Sequence, residues 1–165
     1  MVSGVDYGTQ KAELFAPDLF RELYVPPMRR INDWIHAHTR WKTLYHTDGS
    51  IRQIIGDMIE ARVDILNPVQ WSTANMALSE LKAEFGDRVV FWGGGSNPQQ
   101  SLPFGSPADV QAEVSAAVKA LAPGGGFVFS GVHNIQSQVP TANLMAMFDS
   151  FARERERGQA SAATS

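Results

Sequence analysis

The sequence has no cysteine among its 165 residues. Disulfide bonds and thiolate metal ligands are therefore excluded, and nothing indicates an oxidising compartment. The sequence also lacks an apolar run long enough to span a membrane, and the segment MVSGVDYGTQKAE lacks the basic stretch and apolar core of a signal peptide. The expectation that follows is a cytoplasmic location without membrane contact.

An excess of positive charge is also missing. The formal net charge is −3 at pH 7, and Lys and Arg form no block along the chain. Proteins that bind nucleic acid or acidic membrane surfaces carry a basic patch, so we expect neither as a partner. What the chain does have is 44% hydrophobic residues, which is enough for a single domain with a buried core.

Short β-like runs alternate with helical periodicity along the chain. The runs are rich in Val, Ile, Phe or Tyr, are bounded by Gly, Pro or Asn, and predict buried strands at 42–46, 63–68, 88–93 and 126–131. A fifth strand is predicted to end near Val5. This alternation predicts right-handed βαβ units and a parallel sheet. Two architectures stay open, a doubly wound sheet and part of an eight-stranded barrel.

Two helix starts have a clear local signal. Ser50 and Gln53 have the spacing of a capping box, so a helix is predicted to begin at Ser50. Ser106 is followed by Pro107 and Asp109, which predicts a second start with proline at the first helical position.

The last helix is predicted to start at about Thr141. Its inward-facing residues are expected to be Leu144, Met147, Phe148 and Phe151. From Arg153 the segment RERERGQASAATS is charged and then low in complexity, which predicts a fraying helix end followed by disorder. The predicted division of the chain is therefore a folded α/β domain at 1–152 and a disordered tail at 153–165.

The loops after the predicted strands lie at one edge of either architecture, where parallel α/β proteins place their active sites. These loops contain His46, Asp48 and His133. Two imidazoles and a carboxylate can bind a divalent metal, and without a metal they can donate and accept protons. In the alternative interpretation, Asp48 only stabilises a turn and both histidines bond to the backbone. Amide side chains of the same loops are candidates for orienting a substrate, namely Asn67, Gln70, Asn97, Gln99, Asn134 and Gln136.

Seven segments follow one another in the chain as far as about Phe151, namely DYGTQ, LFRELYVPPMRRINDWIH, HTDGSI, VDILNPVQ, FGDRVVFWGGG, QSLPFGSPADV and HNIQSQVPTANLMAMF. Through these segments the chain resembles the uroporphyrinogen decarboxylase superfamily, which includes the corrinoid and coenzyme M methyltransferases. The resemblance implies a TIM (β/α)8 barrel, of which this chain is similar to the C-terminal half. An isolated half-barrel exposes strand edges, so the expected partner is a second copy in a homodimer or a complementary N-terminal half-barrel.

The resemblance also implies roles for the three charged or titratable residues. The methyltransferases hold zinc with a His-x-Cys pair and a later cysteine. His46 falls on that histidine, Asp48 replaces the first cysteine, and His133 lies near the place of the second. One oxygen and two nitrogens suit Zn²⁺ or another divalent metal, although they donate less charge to a bound thiolate than a thiolate site does. In the decarboxylases, which need no cofactor, the histidine of the last loop corresponds to His133.

Further substrate contacts come from the resemblance alone. The segment DYGTQ implies that Asp6, Tyr7 and Gln10 contact the substrate. Asn97 departs from the family, because relatives often carry aspartate at that position.

Three functions are expected from this pattern. The first is a methyltransferase-like activity that moves a methyl group between a small molecule and a corrinoid or thiol, with metal assistance and a corrinoid protein as partner. The second is decarboxylation of a tetrapyrrole, uroporphyrinogen, in porphyrin biosynthesis. The third is a non-catalytic half-barrel that acts as an assembly subunit or is a fragment.

Overall fold

The computed structural model describes residues 1–162 and places a strand inside or next to every segment for which the sequence predicts one. The strands are β1 (Val2–Gly4), β2 (Leu44–His46), β3 (Ile65–Asn67), β4 (Val90–Trp92) and β5 (Phe127–Val128). The four later strands lie inside the predicted runs, and β1 ends one residue before Val5. The prediction of five β-like segments is therefore confirmed.

The sheet decides between the two architectures that the sequence left open. All neighbouring strands are parallel, and within residues 1–162 their spatial order is the chain order, β1-β2-β3-β4-β5. A doubly wound sheet begins near its middle and reverses direction, whereas a barrel adds each new strand beside the last one. The observed order is therefore that of part of a barrel, as the resemblance implied.

The helices occupy the connections between the strands. They are α1 (Pro17–Leu23), α2 (Val25–His38), α3 (Arg52–Glu60), α4 (Leu78–Phe85), α5 (Ser101–Phe104), α6 (Pro107–Leu121) and α7 (Thr141–Ala162). The predicted start of α6 is confirmed, because the Ser106 hydroxyl accepts from the Asp109 N–H and the Asp109 carboxylate accepts from the Ser106 N–H.

The predicted capping box at Ser50 is wrong. Helix α3 begins at Arg52 and has no side-chain cap. The Ser50 hydroxyl donates to the carbonyl of Ala74 at 2.7 Å, and Gln53 bonds through its backbone N–H and its side-chain amide to the carboxylate of Glu13. Both residues have found partners remote in sequence, which a local cap pattern does not reveal.

The main core lies between the sheet and its helices. Tyr45, Leu66 and Phe91 belong to this cluster, together with residues of α1, α3 and α4. Since side chains alternate along a strand, the neighbouring residues His46 and Asn67 lie on the opposite face of the sheet. The core that stabilises the sheet therefore leaves the ends of β2 and β3 free for other contacts.

A second cluster packs α6 against α7 and corrects one inward prediction. Met147 is buried there, with Leu144 and Phe151 partly buried against it, but the Phe148 side chain is 49% exposed. The buried face of α7 is therefore narrower than the face that the apolar periodicity predicts, because it excludes Phe148.

The charged tail is helical in the part of the chain that the structure describes. Helix α7 continues to Ala162, and Glu154 accepts from the Ser115 hydroxyl of α6 at 2.8 Å and pairs with Arg157 at 2.9 Å. The helix end predicted from Arg153 therefore extends as far as Ala162, while 163–165 lie outside the described residues. None of the described helices has the length and hydropathy needed to span a membrane.

A matched pair of phenylalanines tests this description of the core. Phe91 is fully buried in β4 and Phe104 is 76% exposed in α5. Phe91→Ala is expected to lower the free energy of unfolding by about 3–5 kcal/mol, because it leaves a cavity in the packed core. Phe104→Ala is expected to change it by no more than about 0.5 kcal/mol. Urea unfolding measures both, and equal losses would contradict the placement of Phe91.

Candidate functional site

The candidate site begins at the carboxyl ends of two neighbouring strands. His46 is the last residue of β2 and pairs in register with Asn67, the last residue of β3. The backbone link continues past the strands, since the Thr47 N–H donates to the Asn67 carbonyl at 2.8 Å. His133 comes from the loop after β5, so the curvature of the partial barrel brings it to β2 across three strand positions.

The three residues predicted as the reactive cluster lie together. Nε2 of His46 and Nε2 of His133 are each 3.4 Å from Oδ2 of Asp48. The two imidazole rings have centroids 5.9 Å apart, and one ligand atom from each residue falls within 4.8 Å of the others. Ligands of a tetrahedral zinc ion are separated by roughly 3.3 Å, given bonds of about 2.0–2.1 Å. The cluster can therefore close around one ion with small side-chain shifts.

Asp48 is the electrostatic centre of this cluster. Burial raises the pKa of its carboxyl above the ordinary value, and the charge of Asp6 acts in the same direction. His133 and His46 oppose this change by favouring the ionised form of Asp48. A partly buried carboxylate between two imidazoles is poised to accept a positive charge, whether from a metal ion or from protonated histidines.

The turn that carries Asp48 is stabilised by side chains from other loops. The Asp48 N–H donates to Oδ1 of Asp6 at 3.1 Å, and the Gly49 N–H donates to Oε1 of Gln70 at 2.7 Å. Gly49 has a φ of +92°, which favours glycine, and an added Cβ would lie 2.3 Å from the backbone of Gly8. The turn thus depends on Asp6, Gln70 and Gly49, with the Asp48 carboxylate turned toward the two histidines.

This geometry argues against the alternative interpretation, in which Asp48 only stabilises a turn and the histidines bond to the backbone. The turn uses the backbone of Asp48, whereas the Asp48 carboxylate approaches both imidazoles. His46 bonds through Nδ1 to the side chain of Asn67 at 2.8 Å, not to the backbone. The reactive atoms are therefore directed at one another.

Most of the predicted amide side chains line a cavity beside the cluster. The cavity measures about 310 Å³, and the amides lining it are Gln10, Gln70, Gln99, Asn134 and Gln136. Asp48 and His133 complete its wall. The structure therefore brings together five of the residues predicted to contact or orient the substrate and two members of the cluster.

A larger cavity shares His133 and Asn134 with the first one. It measures about 520 Å³ and is lined by His46, Asn67 and His133, with apolar side chains that include Phe129 and Phe148. Among the described residues that line either cavity, none is Lys or Arg. The described lining therefore offers amide, imidazole, carboxylate and apolar contacts, with neither Lys nor Arg to hold an acidic substrate.

Three of the predicted substrate contacts line neither cavity, namely Asp6, Tyr7 and Asn97. Asp6 accepts from the Asp48 N–H in the turn described above. Tyr7 is 3% exposed, its hydroxyl bonds to that of Tyr45 on the helix side of the sheet, and burial raises its pKa. Asn97 is buried, and its side chain accepts from the N–H of Gln99 within its own loop. The substrate roles expected for Tyr7 and Asn97 are therefore corrected to core packing and loop structure.

Sequence reasoning missed the residue that anchors the loop after β4. The carboxylate of Glu113, in α6, accepts from the Ser96 hydroxyl at 2.6 Å, the Asn97 N–H at 3.0 Å and the Ser101 hydroxyl at 2.5 Å. Glu113 has an ordinary position in a helical pattern, so only the fold reveals this contact. Through this anchor Glu113 sets the position of Gln99 in the smaller cavity.

The chain is similar to known proteins in both sequence and fold. The sequence model of the family described as "Uroporphyrinogen decarboxylase (URO-D)" matches residues 2–154. The chain is 35% identical over 75 residues to the "Uroporphyrinogen decarboxylase" of Sodalis glossinidius (strain morsitans), a match that spans 46% of this chain and 20% of that protein. A solved methyltransferase from Methanosarcina mazei is similar with a TM-score of 0.69 and 20% identity, over 92% of this chain and 42% of that chain.

These similarities bear on the fold more than on the activity. Each match spans less than half the length of the other protein. At 20% identity, the likeness to the methyltransferase shows the fold alone. Together with the parallel sheet in chain order, it confirms the predicted half-barrel of (β/α) units.

The anchoring role of Glu113 is open to a direct test. Glu113→Ala is expected to speed backbone hydrogen exchange at 96–101 by about tenfold or more, because a hydrogen bond to a charged group contributes roughly 1.5–3 kcal/mol. Exchange measured by mass spectrometry after proteolysis resolves this segment.

Glu80→Ala is the matched control. Glu80 lies in α4, its side chain is exposed, and it pairs with Arg52 outside the site. Exchange at 96–101 is expected to stay at the parent rate in this variant. Unchanged exchange in Glu113→Ala would show that the loop does not depend on Glu113.

Proposed function

The chain belongs to the uroporphyrinogen decarboxylase family, and from this premise we propose that it is a methyltransferase-like member of that family. It moves a methyl group between a small substrate and a corrinoid or thiol, with the assistance of a divalent metal such as Zn²⁺. The observation that carries the proposal is the convergence of His46, Asp48 and His133 on one point beside two cavities. The metal, the corrinoid protein and the methyl transfer are all part of the proposal.

The donor set fits the metal. Two imidazole nitrogens and one carboxylate oxygen are a common set of three protein ligands for catalytic zinc, which keeps a fourth position for substrate. The ligands would be Nε2 of His46, Nε2 of His133 and an oxygen of Asp48. When bound there, the metal would supply a Lewis acid that lowers the pKa of a coordinated thiol.

The remaining residues of the site would bind and orient the substrate. The amides of Gln70, Gln99 and Gln136 both donate and accept hydrogen bonds, so they suit an uncharged polar group in the smaller cavity. Asp6 and Gln70 hold the turn and thereby fix the Asp48 carboxylate relative to the imidazoles. Pre-organising charged groups in this way favours reaction because less rearrangement is needed.

Decarboxylation of uroporphyrinogen is the second candidate. It is supported by the similarity to a protein named uroporphyrinogen decarboxylase and by the position of His133 on both cavities. The substrate is a polycarboxylate, and polycarboxylates are usually held by Arg or Lys. The described residues that line the cavities provide neither, so we favour methyl transfer to an uncharged substrate.

A closing partner is also part of the proposal. Val2 and Val5, in and after β1, are 69% and 58% exposed. All-parallel sheets are almost always covered on both faces, and their edges are paired or protected. We propose that a second copy of the chain or a complementary half-barrel covers these surfaces, so that a non-catalytic role holds only for the unpartnered chain.

Metal binding is the first test of the proposal. The chain is expected to bind one zinc ion, and Asp48→Ala and His133→Ala are each expected to weaken binding about a hundredfold. This magnitude follows from dividing roughly 10–16 kcal/mol of zinc binding among about four ligands. Competition with a chromophoric chelator measures the affinity.

The control for that test is His38→Ala. His38 is exposed at the end of α2, where its Nδ1 bonds to the carbonyl of Trp34 outside the site. Its loss is expected to leave zinc affinity unchanged. Equal affinities for the parent and for Asp48→Ala and His133→Ala would contradict the proposed site.

Two substrates offered in parallel separate the candidate activities. The zinc-loaded chain, in the assembly state found by sedimentation equilibrium, is expected to speed demethylation of methylcobalamin by the uncharged thiol 2-mercaptoethanol. It is expected to leave uroporphyrinogen unchanged, because none of the described residues that line its two cavities is Lys or Arg. Loss of methylcobalamin absorbance and chromatography of porphyrins measure the two reactions. Decarboxylation by metal-free protein would favour the second candidate instead.

A further inference from the structure

Asn67 makes two hydrogen bonds that connect three strands at the edge of the candidate site. Its side-chain oxygen lies 2.8 Å from Nδ1 of His46 in β2, and its side-chain nitrogen lies 3.1 Å from the carbonyl of Trp92 in β4. Asn67 itself ends β3, between these two strands. The side chain therefore joins an imidazole on one side to a backbone carbonyl on the other.

The carbonyl of Trp92 determines which way the Asn67 amide faces. A backbone carbonyl can only accept a hydrogen bond, so the NH₂ group of Asn67 has to point toward it. The amide oxygen of Asn67 must then face His46, and an oxygen can only accept. It follows that Nδ1 of His46 carries the hydrogen of this bond.

The position of that hydrogen decides what the other ring nitrogen can do. In a neutral imidazole only one nitrogen carries hydrogen, so Nε2 of His46 retains its lone pair. Nε2 is the atom that lies 3.4 Å from Oδ2 of Asp48, within the cluster of possible metal ligands. The two hydrogen bonds of Asn67, to His46 and to the Trp92 carbonyl, form a hydrogen-bond relay. This relay leaves the lone pair of Nε2, the nitrogen that faces the cluster, available to bind a cation.

We infer that Asn67 is a positioning residue that holds His46 in the tautomer with hydrogen on Nδ1, so that Nε2 binds the metal. The inference deepens the proposed function, because the metal site is the one proposed above. Groups that accept from the second nitrogen of a histidine ligand fix the ring and raise its basicity, and their loss weakens metal binding about ten- to a hundredfold. In this chain the accepting group is the side-chain amide of Asn67, whose orientation is set by the carbonyl of Trp92.

The first test needs neither a variant nor a metal. Long-range ¹H–¹⁵N correlation spectra of the metal-free chain, recorded at about pH 8.5 and so beyond the usual range of imidazole titration, report which ring nitrogen carries hydrogen. The spectrum of His46 is expected to show hydrogen on Nδ1. Hydrogen on Nε2 would overturn the inference.

The second test measures zinc affinity in two variants at the same position. Asn67→Leu removes the acceptor with little change in size, and it is expected to weaken zinc binding about ten- to a hundredfold. Asn67→Asp keeps an acceptor beside Nδ1 of His46 but loses the N–H that the Trp92 carbonyl accepts. It is expected to weaken zinc binding clearly less than Asn67→Leu does and to keep the parent tautomer. Parent-like affinity in Asn67→Leu, or loss in both variants alike, would overturn the inference.

Asn143→Leu is the matched control for a merely structural loss. Asn143 is buried and donates to two backbone carbonyls, those of Leu102 and Gly105, neither of which belongs to the cluster. Its replacement is expected to lower the melting temperature without changing zinc affinity or the spectrum of His46. A fall in zinc affinity equal to that of Asn67→Leu would mean that general loosening explains the effect, and would overturn the inference.

Two outcomes distinguish a failure of the proposed metal site from a failure of the inference about Asn67. A parent chain that binds no zinc but has His46 protonated on Nδ1 contradicts the proposed function and supports the hydrogen-bond relay through Asn67. A parent chain that binds zinc with His46 protonated on Nε2 supports the metal site and overturns the relay.

Discussion

The parallel pairing of β2 with β3 places His46 beside Asn67, and the candidate site is built outward from this pair. Side chains alternate along a strand, so the register that buries Tyr45 and Leu66 against the helices also directs His46 and Asn67 to the other face. A slip of one residue would reverse both assignments. The packing that stabilises the sheet therefore also orients the reactive groups. The same strand register determines both the core and the site.

The segment after β2 keeps the carboxylate of Asp48 in a partly buried position that is unfavourable for its charge. Partial burial of the Asp48 carboxylate opposes its charge, and two imidazoles partly offset that effect. The backbone around it bonds to Asp6 and Gln70, which come from other loops, while the Ser50 hydroxyl bonds to the carbonyl of Ala74. An isolated peptide of this sequence would have none of these partners. A carboxylate kept in such a position by remote contacts is typical of a functional site.

The open edges of the partial barrel connect the proposed activity with the proposed assembly. The β1 edge carries exposed valines, and the larger cavity beside the cluster is lined partly by exposed side chains such as Phe148. In the proposed assembly, a partner would cover these surfaces and exclude water from the cluster, which strengthens every electrostatic interaction inside it. The histidines and the carboxylate would then act in a more apolar environment than the single chain provides.

The sequence by itself determined the parallel (β/α) arrangement, the strand positions and the capping box at Ser106, because periodicity and local caps act over a few residues. Placing the reactive groups at the carboxyl ends of strands also identified His46, Asp48 and His133 as neighbours. Only the tertiary structure decided that Ser50 bonds to Ala74, that Tyr7 is buried, that Glu113 anchors a loop and that Asn67 joins His46 to Trp92. These contacts link residues between 12 and 38 positions apart, with Asn67 reaching His46 at 21 and Trp92 at 25 positions. Such pairings depend on how the whole chain packs, and no local pattern encodes them.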